Sequence, residues 1–198
     1  YLSSKQGLLL SSTPLTLAET ASVFGEMMTF RTLLEESSSE TKKYLLASKI
    51  EDMINTVIRQ ISFFEFEKLV HNERRNGELS SDQICKFWMK TQSESLGPHI
   101  ELTEGYKYFW TYIPHFIHTP FYVYAYAFGD CLVNVLIQLY DEGLPDFKNN
   151  YIELLKSGGS KHYSEVLKPF NVDLKNKDSW QKGLSMISGL IDEFEKAI

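Results

Sequence analysis

Two carboxylates stand seven residues apart in the run Thr-Pro-Leu-Thr-Leu-Ala-Glu-Thr-Ala-Ser-Val-Phe-Gly-Glu, residues 13–26. They are Glu19 and Glu26. Seven residues is close to two helical turns, so on one unbroken helix both groups point from the same face. Their neighbours Leu15, Leu17, Ala18, Ala21, Ser22, Val23, Phe24 and Gly25 are small, apolar or uncharged, and the first nearby base is Arg31. A buried carboxylate without a partner costs on the order of several kcal/mol, so a positive group must come from elsewhere. A metal ion is one candidate. Lys or Arg from another helix, or plain solvation of a helix face, is the other.

A second segment carries hydrogen-bonding groups of a different kind. Residues 112–129 read Tyr-Ile-Pro-His-Phe-Ile-His-Thr-Pro-Phe-Tyr-Val-Tyr-Ala-Tyr-Ala-Phe-Gly. Thr119 followed by Pro120 predicts a helix start, with Thr as N-cap and Pro at the first helical position. On that helix Tyr122 and Tyr126 share a face, and the same stripe continues to Asp130 and Asn134 inside an apolar run. An aromatic core helix is the plain reading. His115 and His118 on the incoming segment favour a polar pocket, since imidazole and phenol both donate hydrogen bonds at neutral pH.

The run around Glu19 resembles the oligoendopeptidase F family of zinc metallopeptidases, relatives of thimet oligopeptidase, and the run around His115 is similar to a second stretch of the same family. The resemblance implies a helical catalytic domain in which a His-Glu-x-x-His helix gives two zinc ligands and the general base. It implies Glu19 as third zinc ligand, Glu26 as a supporting acidic residue, and His115, Tyr122 and Tyr126 as groups that bind the peptide and stabilise the oxyanion; His118 is either a pocket residue or only a loop residue. Short peptides are the implied substrates and one zinc ion the implied cofactor. Residues 1–8, Tyr-Leu-Ser-Ser-Lys-Gln-Gly-Leu, resemble the stretch immediately C-terminal to His-Glu-x-x-His in these enzymes.

The chain departs from the family at the motif itself. Its five histidines are His71, His99, His115, His118 and His162, and no two of them have the four-residue His-Glu-x-x-His spacing. Residues 1–198 are therefore expected to be the C-terminal part of such a catalytic domain, inactive alone and completed by a missing N-terminal part. Exposed apolar faces left by that part would promote self-association. The alternative is a non-catalytic helical binding or scaffold module whose polar cleft holds no metal.

Helices must position these groups, and the sequence reads as all-α. Thr13-Pro14 opens a helix to about Ser37. A long amphipathic helix is expected from about Glu40 to Asn76, on Leu45, Leu46, Ile50, Met53, Val57, Ile61 and Phe64. Arg59 on it is a candidate partner for Glu26. Further helices are expected from Ser81 to Gly97, around Tyr106–Tyr112, from Asp146 to Lys156, from Tyr163 to about Lys168, and from Ser179 to Ala197. Leu8–Leu10 is the one short run with strand character. Gly158-Gly159 lacks the lysine of a phosphate loop and reads as a break between helices. Trp88, Trp110 and Trp180 read as packing residues.

Composition sets the outer bounds. A 198-residue chain that is 43% hydrophobic and 14% aromatic can bury a substantial core. A net charge of −6 argues against nucleic acid or an anionic membrane surface as partner. No apolar run is long enough to span a bilayer. Cys85 and Cys131 have no metal-ligand spacing and are expected as free thiols, in keeping with a cytoplasmic protein.

Overall fold

The computed structural model describes residues 1–197, and it is helical, with no strand among the described residues. The helices are α1 (Leu15–Ala18), α2 (Thr20–Glu36), α3 (Ser39–Ile54), α4 (Gln60–Arg74), α5 (Ser81–Leu96), α6 (His115–His118), α7 (Tyr124–Asp141), α8 (Phe147–Lys156), α9 (Tyr163–Val166) and α10 (Lys177–Ala197). Leu2–Gln6, Glu104–Tyr112 and Lys168–Phe170 form 3₁₀ turns, and Asn55–Arg59 forms a π-helical turn. Among the described residues no helix is long and apolar enough to cross a membrane. The chain divides into two compact units, residues 1–53 with 128–198, and residues 54–127.

The first unit is built on α7, whose residues Leu132, Val135, Leu136 and Leu139 are buried together with Leu17, Phe147, Leu154, Leu167 and Phe170. The spacing of those α7 positions gives one continuous apolar stripe. Helix α10 comes very close to α7, since a Cβ on Gly183 would lie 2.5 Å from the Cys131 carbonyl oxygen. Trp180 packs on the same core and donates from Nε1 to the Leu174 carbonyl at 2.8 Å. Arg31 of α2 grips Asp141 of α7 through two hydrogen bonds of 2.8 and 2.7 Å. Leu8–Leu10 is a turn rather than a strand: the Leu10 N–H donates to the Gly7 carbonyl at 3.2 Å. Its own carbonyl accepts from Gly159 at 2.7 Å. Gly158, at φ 50°, and Gly159 have no room for side chains against that segment, so the double glycine does more than end α8.

The second unit packs α4 against α5 around Phe63, Phe66 and Trp88, with Ile113 and Val123. Trp88 is fully buried, and its Nε1 donates to the Tyr106 carbonyl at 3.0 Å, tying the 3₁₀ segment to α5. Helix α5 starts on a capping box: the Ser80 hydroxyl accepts from the Gln83 N–H while the Gln83 side chain accepts from the Ser80 N–H. Both cysteines are free and buried.

The helix expected from Glu40 to Asn76 is divided into α3 and α4 by the π-helical turn Asn55–Arg59, and two other expected boundaries move. The helix predicted from Thr13 to Ser37 is interrupted at Glu19, where ψ is −2°. The helix expected at Thr119-Pro120 begins only at Tyr124. Phe121 takes φ 60°, a left-handed conformation that an L-residue enters at some cost, and no helix runs through it. The Phe121 N–H donates instead to the buried Glu67 carboxylate at 2.8 Å.

Candidate functional site

In the 54–127 unit, Ile113 is buried and Pro114 precedes α6, which presents His115 at its start. Although Tyr122 lies outside α7, its ring still meets that of Tyr126, with centroids 5.3 Å apart. The His115 ring stacks on Tyr122 at 5.4 Å and meets Tyr126 edge-on at 5.9 Å. His115 Nε2 and the Tyr126 hydroxyl are 3.3 Å apart. The structure thus unites His115, Tyr122 and Tyr126, all partly buried. His118, exposed at the end of α6, makes no side-chain contact with them. A cavity of about 350 Å³ opens beside the cluster, with Arg59, Phe63, Tyr112, His115 and Tyr126 in its walls. The phenol and the imidazole hydrogen-bond each other here, and exchanging that bond for two to a substrate oxygen would present them as adjacent donors to one atom.

Glu67, 2% exposed, accepts from the N–H of Phe121, the residue before Tyr122. Burial raises its carboxyl above the ordinary range, while the hydrogen bond from Phe121 pulls it back. Its Oε2 is buried with no partner.

In the other unit, Glu19 occupies the junction of α1 and α2. Its carbonyl accepts from the Val23 N–H at 3.0 Å, and its Oε2 accepts from the Ser22 hydroxyl at 3.0 Å. Gly129 of α7 backs it closely, since a Cβ there would lie 2.9 Å from the Glu19 Cβ. No cation pairs with Glu19 among the described residues, which leaves an oxygen donor available. Glu26 follows along α2, so the two acids do not share one unbroken helix. Its partner is Lys49 of α3, Nζ to Oε1 2.5 Å, rather than Arg59. The lysine is the buried member, 7% exposed in its side chain against 59% for Glu26. Lys49 lies between Leu46 and Met53 on the buried stripe of α3. A base on an apolar stripe was the available signal for that pair. Arg59 instead donates to the Tyr112 hydroxyl and lies over the Phe63 ring.

On α7, Asp130 is 3% exposed and accepts from Asn134 Nδ2 at 3.1 Å. Burial pushes its carboxyl up to about 6; Lys49 and the Asn134 bond lower it, and Glu26 raises it. No three His, Cys, Asp or Glu residues are grouped to hold a metal among the described residues.

Known proteins share this chain's sequence and fold. The profile of peptidase family M3 matches residues 1–186. An oligoendopeptidase F homolog of Borreliella burgdorferi is 32% identical over 181 residues, 90% of this chain and 30% of its own length. The plasmid oligoendopeptidase F of Lactococcus lactis subsp. cremoris is 29% identical over 187 residues, 93% of this chain and 31% of its own. The crystal structure of oligoendopeptidase-F from Enterococcus faecium superposes with a TM-score of 0.82 at 30% identity, over 92% of this chain and 35% of that one. The chain therefore spans about a third of the length of the relatives it matches.

Proposed function

This chain belongs to peptidase family M3, and from that premise we propose that it supplies the C-terminal part of a zinc-dependent oligopeptidase active site acting on short peptides. The observation that carries the reading is the union of His115, Tyr122 and Tyr126 at a cavity, where a phenol and an imidazole stand 3.3 Å apart. Peptide hydrolysis builds negative charge on the carbonyl oxygen, and donors fixed before reaction stabilise that charge most effectively. Tyr126 and His115 are those donors, and Tyr122 holds the imidazole ring by stacking.

Glu19 fits a metal ligand by its chemistry: a carboxylate with no internal cation, one oxygen engaged only by a serine hydroxyl, and its backbone fixed at a helix junction. Zinc when bound acts as a Lewis acid that lowers the pKa of water. The remaining ligands and the general base are assigned to a His-Glu-x-x-His segment outside these residues, because no such spacing occurs within them. The buried Lys49 engages Glu26 and keeps that second carboxylate out of competition for the metal.

The test uses this chain extended upstream through His-Glu-x-x-His, assayed for zinc stoichiometry and cleavage of a quenched peptide. The expected result is one zinc per chain, loss of both zinc and cleavage in Glu19→Ala, and retained zinc with kcat down about 100-fold in Tyr126→Phe, the usual scale for an oxyanion donor. An extended chain that binds no zinc, or a Tyr126→Phe variant with unchanged kcat, overturns the proposal.

A further inference from the structure

We infer that the cavity beside His115 selects for a carboxylate on the peptide, gripped by Arg59; this rests on the peptide-handling role proposed for His115 and Tyr126. Arg59 ends the π-helical turn Asn55–Arg59. Such turns are rare and are frequent at functional sites. Its guanidinium is fixed from two directions, with Nη2 donating to the Tyr112 hydroxyl and the central carbon 5.1 Å from the centroid of the Phe63 ring. Neither neighbour neutralises its charge.

Arg31 shows the contrast. That arginine meets Asp141 with both Nη groups, and its charge is satisfied within the chain. Arg59 has no carboxylate partner among the described residues, although it is half-buried and lines a cavity of about 350 Å³. Among the described residues no acidic side chain lines that cavity, where Thr56 and Gln60 add neutral polar groups. A planar guanidinium matches a carboxylate through two parallel hydrogen bonds, and prior immobilisation lowers the ordering cost of binding. The volume lies at the lower end of small-ligand sites, which suits a short stretch of peptide.

Two groups on a peptide share this chemistry, its C-terminal carboxylate and an acidic side chain. Three probes separate them: acetyl-tetraalanine with a free C-terminus, the same peptide amidated, and an amidated version in which glutamate replaces one alanine. Affinity is read by NMR titration of the 198-residue chain, following the His115 ring protons. The expected result is that at least one acidic peptide binds about tenfold more tightly than the neutral amide, a modest factor in keeping with a half-exposed pair. Arg59→Met removes that preference, bringing the affinities of the acidic peptides down to that of the neutral amide. Arg59→Gln, which keeps a donor for Tyr112, gives the same loss and covers the case of a Met variant that does not fold. The carboxylate preference is overturned if the amide binds as well as both acids, or if the variants weaken all three peptides equally. If none of the three moves the His115 signals, the peptide-handling role itself fails, and the selectivity with it.

Discussion

Replacing Asp130 with asparagine should make this protein more stable above neutrality and leave it little changed in acid. Asp130 is 3% exposed in the middle of α7, and burial moves its carboxyl from 3.8 to about 6. In the unfolded chain the group returns to its ordinary value. Between those two pH values the native state binds more protons than the unfolded state, so stability falls as pH rises through the window. The cost is complete above about pH 6. At 1.36 kcal/mol per pH unit, the gap between 3.8 and about 6 amounts to about 3 kcal/mol. An amide of the same shape carries no charge to desolvate and still accepts from Asn134 Nδ2. Loss of the attraction to Lys49 offsets part of the gain, so the net stabilisation expected at pH 8 is about 1–3 kcal/mol. Urea unfolding of both proteins at pH 4 and pH 8 measures it. The reasoning is refuted if the difference between variant and parent is the same at the two pH values, or if asparagine is the more destabilising at pH 8.

Substitutions at Glu67, Gly183 and Gly129 probe single contacts. Glu67→Ala should cost about 1–3 kcal/mol by leaving the Phe121 N–H without its acceptor, whereas Glu67→Gln keeps an acceptor and should remain near the parent; thermal melts distinguish the two. Gly183→Ala should destabilise by about 1–3 kcal/mol, because the added Cβ meets the Cys131 carbonyl at 2.5 Å, while Gly189→Ala on the same helix meets nothing and should stabilise by up to about 1 kcal/mol. Gly129→Ala should displace Glu19, whose Cβ would lie 2.9 Å from the new methyl, and lower zinc occupancy in the upstream-extended chain, as read by metal analysis. Unchanged occupancy would show that Glu19 tolerates the shift or is no ligand.

Local signals in the sequence located most helices, and distant contacts account for the boundaries that moved. The stop of α5 at Gly97, the break at Gly158-Gly159 and the start of α8 after Asp146 all follow from residues within a turn of the boundary. Thr119-Pro120 carried an equally good local signal, yet α7 begins at Tyr124. The deciding contact is Glu67, 54 positions away, whose carboxylate accepts from Phe121. No window of local sequence contains both residues. The tyrosine pair was nevertheless found, because the rings of Tyr122 and Tyr126 meet even with one of them outside the helix. Glu26 needed a cation, as its uncharged neighbours suggested. Arg59 was the wrong choice because a flanking apolar run marks a helix as buried without saying which helix faces it. Lys49, between Leu46 and Met53, carried the better signal.

Each compact unit carries one buried cysteine, Cys85 in residues 54–127 and Cys131 in the other. Burial, and then the neighbouring Asp130, push the Cys131 thiol up to about 12, so its thiolate is scarce while the unit stays closed. Modification by a thiol reagent must then wait for an opening event. Mass spectrometry resolves the two alkylated peptides from one reaction, and their separate rates would give the opening free energy of each unit without an introduced label. The unmodified chain thus holds two internal clocks, which can show whether ligand binding at the His115 cavity slows one unit or both.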